Sequence, residues 1–143
     1  MIKLVVDASV AVKWFVRDTN EEKDVTSAVD ILIDIGKNNI ELIQPPHWMA
    51  EVTAVLARLQ PDMTDDAIDL LDAMEIATSA ESKVYKLASH LAAELNHHLF
   101  DTLYHALALH EKAMLITADH RYFRKSINHG SICMLADFDI GIY

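Results

Sequence analysis

The stretch Ile2-Lys3-Leu4-Val5-Val6-Asp7-Ala8-Ser9-Val10-Ala11-Val12 decides the fold. Residues 2–6 form a short, apolar, β-branched run, which predicts a strand buried on both faces. Asp7 ends the run, and Val12, Phe15 and Val16 follow at helical spacing within residues 8–16. A buried strand that feeds directly into a helix is the opening unit of an open α/β sheet. In such sheets functional side chains collect just beyond the carboxyl ends of the strands. Asp7 stands at that position.

The rest of the chain alternates in the same way. Residues 21–37 carry Val25, Ala28, Val29, Leu32 and Ile35 on one helical face, with Gly36 as a stop, and 40–43 reads as a second strand ended by Pro45 and Pro46. Trp48, Val52, Val55, Leu56 and Leu59 make a helical stripe that Pro61 closes. Thr64 is expected to cap a helix holding Ala67, Leu70, Leu71 and Met74. Helices are expected over 81–95 and 100–111, the second burying Phe100, Leu103, Tyr104 and Leu107. Strands at 114–116 and 131–135 complete the pattern. Short strands without polar alternation, set between helices, predict a three-layer α/β/α sandwich around a mainly parallel sheet. A length of 143 residues fits a single domain, 1–143.

Twelve Lys and Arg against twenty-two Asp and Glu leave a net charge of −10. That balance disfavours a non-specific nucleic-acid binder, which relies on basic patches. It suits an enzyme that reaches phosphates through a bound cation. Gly36, Gly130 and Gly141 lie far apart, so a glycine-rich phosphate loop is excluded. The lone Cys133 excludes a disulfide framework and a cysteine-rich zinc site, and fits a reducing cytoplasm. No apolar run approaches the ~20 residues that span a bilayer. Lys3, Asp7 and Lys13 interrupt the N-terminal apolar stretch, unlike a signal peptide. The expectation is a cytoplasmic protein with no membrane association.

Four carboxylates fall where an open α/β sheet gathers its chemistry. Asp7 follows the first strand, and Asp119 follows the strand at 114–116 after Thr117 and Ala118. Asp101 lies in the first turn of its helix, about 110° from the centre of that helix's apolar stripe, and Glu51 lies roughly 85° from the centre of its own. Each has a structural explanation when taken singly: Asp7 and Asp119 as helix caps, Asp101 as a dipole-favoured first-turn residue, Glu51 as a solvated helix glutamate. Together they carry a cost. Two charges at ~4 Å repel by about 4 kcal/mol at an effective dielectric near 20, and four contain six such pairs. The unscreened sum exceeds a typical domain stability of roughly 5–15 kcal/mol. Raised pKa values or bound divalent cations resolve that tension, and oxygen-only ligands suit Mg²⁺ or Mn²⁺.

The opening block Leu4-Val5-Val6-Asp7-Ala8-Ser9-Val10-Ala11-Val12-Lys13-Trp14-Phe15 resembles that of PIN-domain proteins, especially the VapC-type toxins of toxin–antitoxin pairs. Three more blocks match in order: Pro45-Pro46 followed by Glu51, then Phe100-Asp101-Thr102-Leu103-Tyr104-His105-Ala106-Leu107-Ala108, then Leu115-Ile116-Thr117-Ala118-Asp119-His120-Arg121-Tyr122-Phe123. The resemblance implies a metal-dependent endoribonuclease that leaves a 5′-phosphate. It assigns Asp7, Glu51, Asp101 and Asp119 as the acidic quartet, and Ser9 and Thr117 as hydroxyl residues bonding around it. Asp7, Asp101 and Asp119 are expected to hold the first Mg²⁺ or Mn²⁺ ion, with Glu51 serving a second ion or the attacking water. An RNA substrate, a cognate antitoxin protein and a homodimer are the implied partners. The helices between Thr64 and Leu95 are candidate surfaces for the last two.

Lys13, Arg17, Arg121, Arg124 and Lys125 lie near the acidic edge in sequence and can reach flanking phosphates, while Trp14 and Tyr122 are candidates for stacking on bases. Asp101 and His105, at i and i+4 beside His97-His98, allow a His/Asp zinc site, but no His-Glu-x-x-His motif supports one. His105 is expected beside the acidic cleft or on the surface, and Cys133 in a core strand. The competing function is a PIN-fold binding or assembly partner with little or no catalysis.

Overall fold

Five strands, β1 (Ile2–Val6), β2 (Ile40–Gln44), β3 (Ala77–Thr78), β4 (Met114–Thr117) and β5 (Ile132–Met134), pair in the order β3-β2-β1-β4-β5, and every pairing is parallel. The computed structural model describes residues 1–16 and 24–143, so Arg17 and the expected helix start at residue 21 lie outside the described residues. Among the described residues, seven α-helices connect or flank the strands: α1 (Ala8–Ala11), α2 (Val25–Gly36), α3 (Trp48–Leu59), α4 (Thr64–Ala73), α5 (Ser82–Leu95), α6 (Leu99–Glu111) and α7 (His120–Ser126).

The all-apolar strands explain the layering. Leu4, Val5 and Val6 are all buried, and neighbouring residues of a strand point to opposite faces, so both faces of β1 are covered. β4 is the same through Leu115, Ile116 and Thr117. From β1 the chain steps to β2 and then β3 in one direction across the sheet. It then crosses back to β4 and goes on to β5. Right-handed parallel crossovers place the helices of these two runs on opposite faces. α2 packs on β2, whereas α6 lies against β1 and β4 and α7 against β5. The expected α/β/α sandwich is thus present, with its sheet wholly rather than mainly parallel.

Local differences have local causes. β3 was not legible, because Ala77 and Thr78 are too short a run to carry a period, and both are exposed. Thr64 does not cap α4: its hydroxyl donates backward to the Gln60 carbonyl at 3.2 Å, and Met63 holds the cap position. The residue in left-handed conformation after α2 is Asn38 (φ 61°) rather than Gly36. Phe100, expected in the core, is 59% exposed, whereas the six residues from Leu103 to Ala108 are all buried. Leu59 and Leu70, placed on apolar stripes, are exposed, the first at the end of α3 and the second within α4, where Ala67 and Leu71 are the buried residues.

The sheet opens where the site lies. β1 and β2 stay in backbone register through Leu4 and Leu42. Beyond that the gap is bridged by the fully buried Gln44, whose side-chain Oε1 accepts from Val6 N at 2.9 Å and whose Nε2 donates to Val6 O at 2.7 Å. The amide thereby stands in for a strand neighbour and holds the last residue before Asp7.

Candidate active site

Successive connections leave β1 and β4, which are adjacent, in opposite directions. Their carboxyl ends therefore form the crevice in which open α/β sheets place ligands. Asp7 and Asp119 come from those two strand ends, Asp101 from the first turn of α6, and Glu51 from the first turn of α3.

Asp7 and Asp119 do cap α1 and α7, as their singular explanations required. Asp7 Oδ1 accepts from Ser9 N at 3.0 Å, and Asp119 Oδ1 accepts from Tyr122 N at 3.1 Å. The caps are also cross-linked. The Ser9 hydroxyl donates to Asp7 Oδ1 and accepts from Ala118 N at 3.1 Å, while the Thr117 hydroxyl donates to Asp7 Oδ2 and accepts from Asp119 N at 3.0 Å. Ser9 and Thr117 thus tie the two strand ends into one rigid edge.

Burial pushes the Asp7 carboxyl up to about 6 from 3.8 against the lowering effect of those two hydroxyls, with Asp101 and Asp119 adding to the rise. Burial also raises Asp101, which is further raised by Glu51 and Asp119 and eased down by His97. The influences of Asp101 and Asp119 on Asp7, and of Glu51 and Asp119 on Asp101, connect the four carboxylates electrostatically. Burial opposes the charge on Glu51 as well, but hydrogen bonds from His47 and Tyr104 outweigh it and bring that carboxyl below its usual range. Tyr104 donates to Glu51 Oε1 at 2.7 Å, and His47 Nε2 lies 3.2 Å from the same oxygen and 2.8 Å from the Phe100 carbonyl. His47 Nδ1 is buried without a partner.

The sequence reading offered His97 only as a neighbour of a possible His/Asp zinc site, not as a partner that orients Asp101. Its Nε2 lies 2.9 Å from Asp101 Oδ2, and its Nδ1 lies 3.2 Å from Lys125 Nζ. An ammonium has only donors, so Nδ1 accepts and Nε2 carries the proton it gives to Asp101. The left-handed Asn96 (φ 49°) ends α5 and turns the chain so that His97 precedes α6 at this point. No sequence signal marked it beyond its placement four residues before Asp101.

His97, Asp101 and Asp119 bring potential ligand atoms within 4.8 Å of one another. The proton on Nε2 makes His97 an orienting donor for Asp101 rather than a ligand, which leaves carboxylate oxygens as the donor set. Such a set, with Asp7 and Asp101 held above their ordinary range by burial and by neighbouring carboxylates, fits a hard divalent cation. A second group, Glu81, His110 and Glu111, lies on the surface with Lys3 bound to Glu111 at 3.6 Å.

Other expected roles are corrected. His105 is fully buried: its Nδ1 accepts from the Tyr122 hydroxyl at 2.9 Å and its Nε2 donates to Gly130 O at 2.7 Å, so it is a core residue and not a zinc ligand. Tyr122 is buried and offers no stacking face, while Trp14 packs partly buried against the core and donates from its ring nitrogen to Ala28 O at 2.8 Å. Cys133 lies half-buried in β5, its thiol pushed up by burial. A cavity of about 550 Å³ opens at the far end of the sheet around Met1 to Leu4 and is lined by no Asp or Glu.

An all-parallel α/β/α domain with a carboxylate-lined crevice at its strand switch point is the class these features define. Its family is shown directly: the PIN domain model matches residues 4–127, and the chain belongs to the PIN domain family. Among solved structures, VapBC2 from Rickettsia felis, solved bound to a DNA fragment from its promoter, is similar over 96% of this chain and 100% of that chain. The TM-score is 0.66 and the identity 15%, a likeness of fold. No curated protein matches the sequence in a direct comparison. No helix among the described residues is long and apolar enough to cross a membrane.

Proposed function

We propose that this protein is a divalent-metal-dependent endoribonuclease, the toxin of a toxin–antitoxin pair, in which Asp7, Glu51, Asp101 and Asp119 are the working carboxylates. The observation that carries this reading is that the four, from four separate elements, lie near enough at the β1/β4 switch point for Asp101 and Asp119 to raise Asp7, and for Glu51 and Asp119 to raise Asp101. Asp7, Asp101 and Asp119 are the residues to hold a first Mg²⁺ or Mn²⁺ ion, with Glu51 serving a second ion or the attacking water. When bound, such an ion neutralises phosphate charge and lowers the pKa of water.

The chain's own groups prepare the rest. Ser9 and Thr117 each donate to one oxygen of Asp7 and fix its plane, with acceptor capacity left on Oδ2. His97 fixes Asp101, while Tyr104 and His47 keep Glu51 ionised, so that it accepts a proton or orients water at neutral pH. Phe100 presents an exposed ring beside Asp101, in contact with His47 at 5.3 Å between centroids, and suits stacking on an unpaired base. An antitoxin protein and a second copy of the chain are the proposed protein partners, and the cytoplasm the proposed compartment.

Incubation of the purified protein with single-stranded RNA in Mg²⁺, Mn²⁺ or EDTA tests the proposal. Cleavage is expected with either ion and not with EDTA, and Asp101→Asn or Asp119→Asn is expected to lower it by about two orders of magnitude or more. Wild-type rates in both variants would refute the assignment. A folded protein that cuts no RNA in either ion would favour the binding-partner reading.

A further inference from the structure

Beside the acidic crevice lies its electrostatic opposite. Asn96, His97 and His98 from the α5–α6 turn, with Arg121 and Lys125 from α7, line a cavity of about 220 Å³. In a chain of net charge −10, this cavity holds two permanent cations and no carboxylate in its lining. Lys125 is fixed in place, donating to Asn96 O at 3.1 Å and facing His97 Nδ1 at 3.2 Å. Arg121 is exposed and has neither an ion pair nor a hydrogen bond among the described residues. Two cations one helical turn apart on α7, with no acid in the lining, repel one another, and an anion relieves that.

The position of the cavity specifies the anion. One imidazole separates it from the crevice: His97 touches Asp101 on one edge (2.9 Å) and Lys125 on the other (3.2 Å). An imidazole with a hydrogen bond at each end spans about the distance between consecutive phosphates of a nucleic-acid strand. We propose that this cavity is a phosphate subsite, in which Arg121 and Lys125 hold the phosphate group next to the one under attack in an RNA strand. This rests on the ribonuclease reading and adds to it a side for the strand to leave the crevice. The guanidinium supplies a paired-donor fork for phosphate oxygens, and the ammonium supplies a point charge. Neither reads a base, so the subsite sets position and not sequence.

The test separates binding from cleavage. Arg121 is the residue to change, because Lys125 also holds His97. Anisotropy of fluorescently labelled single-stranded oligoribonucleotides is measured in EDTA across a salt series, for the full-length wild type, Arg121→Gln and Arg121→Lys. Arg121→Gln is expected to weaken binding about tenfold, to a similar degree for unrelated sequences, and to reduce the log–log salt slope by about 0.7. Arg121→Lys should restore the slope. In Mg²⁺, Arg121→Gln is expected to raise KM while leaving kcat within about twofold, as loss of uniform binding does. Cleavage by wild type with unchanged affinity and slope in Arg121→Gln would overturn the subsite and leave the nuclease reading standing. Absence of both RNA binding and cleavage in wild type would overturn both.

Discussion

Replacing Asp7 by Asn is expected to stabilise the metal-free protein. The Asp7 carboxyl is pushed up to about 6 from 3.8, chiefly by burial, so its ionised form is held in the fold at a cost. Two units at 1.36 kcal/mol each place that cost at ~3 kcal/mol once the group is fully ionised in both states. A raised carboxyl pKa means that the folded state binds the proton more tightly than the unfolded one. The associated stability is therefore present below about pH 4 and is lost as pH rises through about 6. Asn keeps the shape without the charge, and the Ser9 and Thr117 hydroxyls can rotate to accept from its amide. Urea and thermal unfolding in EDTA should show Asp7→Asn ahead by up to ~3 kcal/mol at pH 8, roughly 5–10 °C in Tm, with the gap closing by pH 4. Added Mg²⁺ should stabilise the wild type in a concentration-dependent way and the variant far less. A variant less stable than wild type at pH 8, or a gap of equal size at pH 4 and pH 8, would refute the reasoning.

Three further outcomes follow from particular contacts. Gln44→Leu leaves Val6 N and O buried and unpaired, and is expected to cost about 2–5 kcal/mol in urea unfolding. Tyr104→Phe removes a donor to Glu51, so burial dominates, the Glu51 pKa rises, and the acid limb of the pH–rate profile should move to higher pH. Phe100→Ala should leave stability within about 0.5 kcal/mol, as the ring is exposed, yet weaken single-stranded RNA binding by roughly 1–3 kcal/mol in anisotropy titrations.

The legible parts of the fold were those written in short-range patterns. β1, β2, β4 and β5 announced themselves as apolar runs, and α3 was bounded by Pro46 and Pro61 as expected. Ala77–Thr78 carried no such pattern, since a two-residue strand owes its place to its neighbour β2. The helical period placed Phe100 on an apolar stripe, but in the first turn of α6 the ring meets His47 on one side and stays mostly exposed. His105 and His97 are the same residue type on the same stretch of chain. One is locked in the core between Tyr122 and Gly130, and the other meets Asp101 and Lys125. Periodicity does not separate such cases, because the partners come from distant segments.

By itself the sequence determined the alternation of buried strands and helices, the location of Asp7 and Asp119 at strand ends, and the family pattern that singled out Glu51 and Asp101. Hydrophobic period and strand–helix succession are properties of neighbouring residues, so they are readable in one dimension. Only the tertiary structure decided that Asp7 and Asp101 feel the charge of neighbouring carboxylates, and that Gln44 braces the strand before Asp7. It alone placed a cationic cavity one imidazole away from the acids. Electrostatic coupling depends on distance through space, and residues 7, 51, 101 and 119 acquire that proximity only when the parallel sheet aligns the ends of β1 and β4.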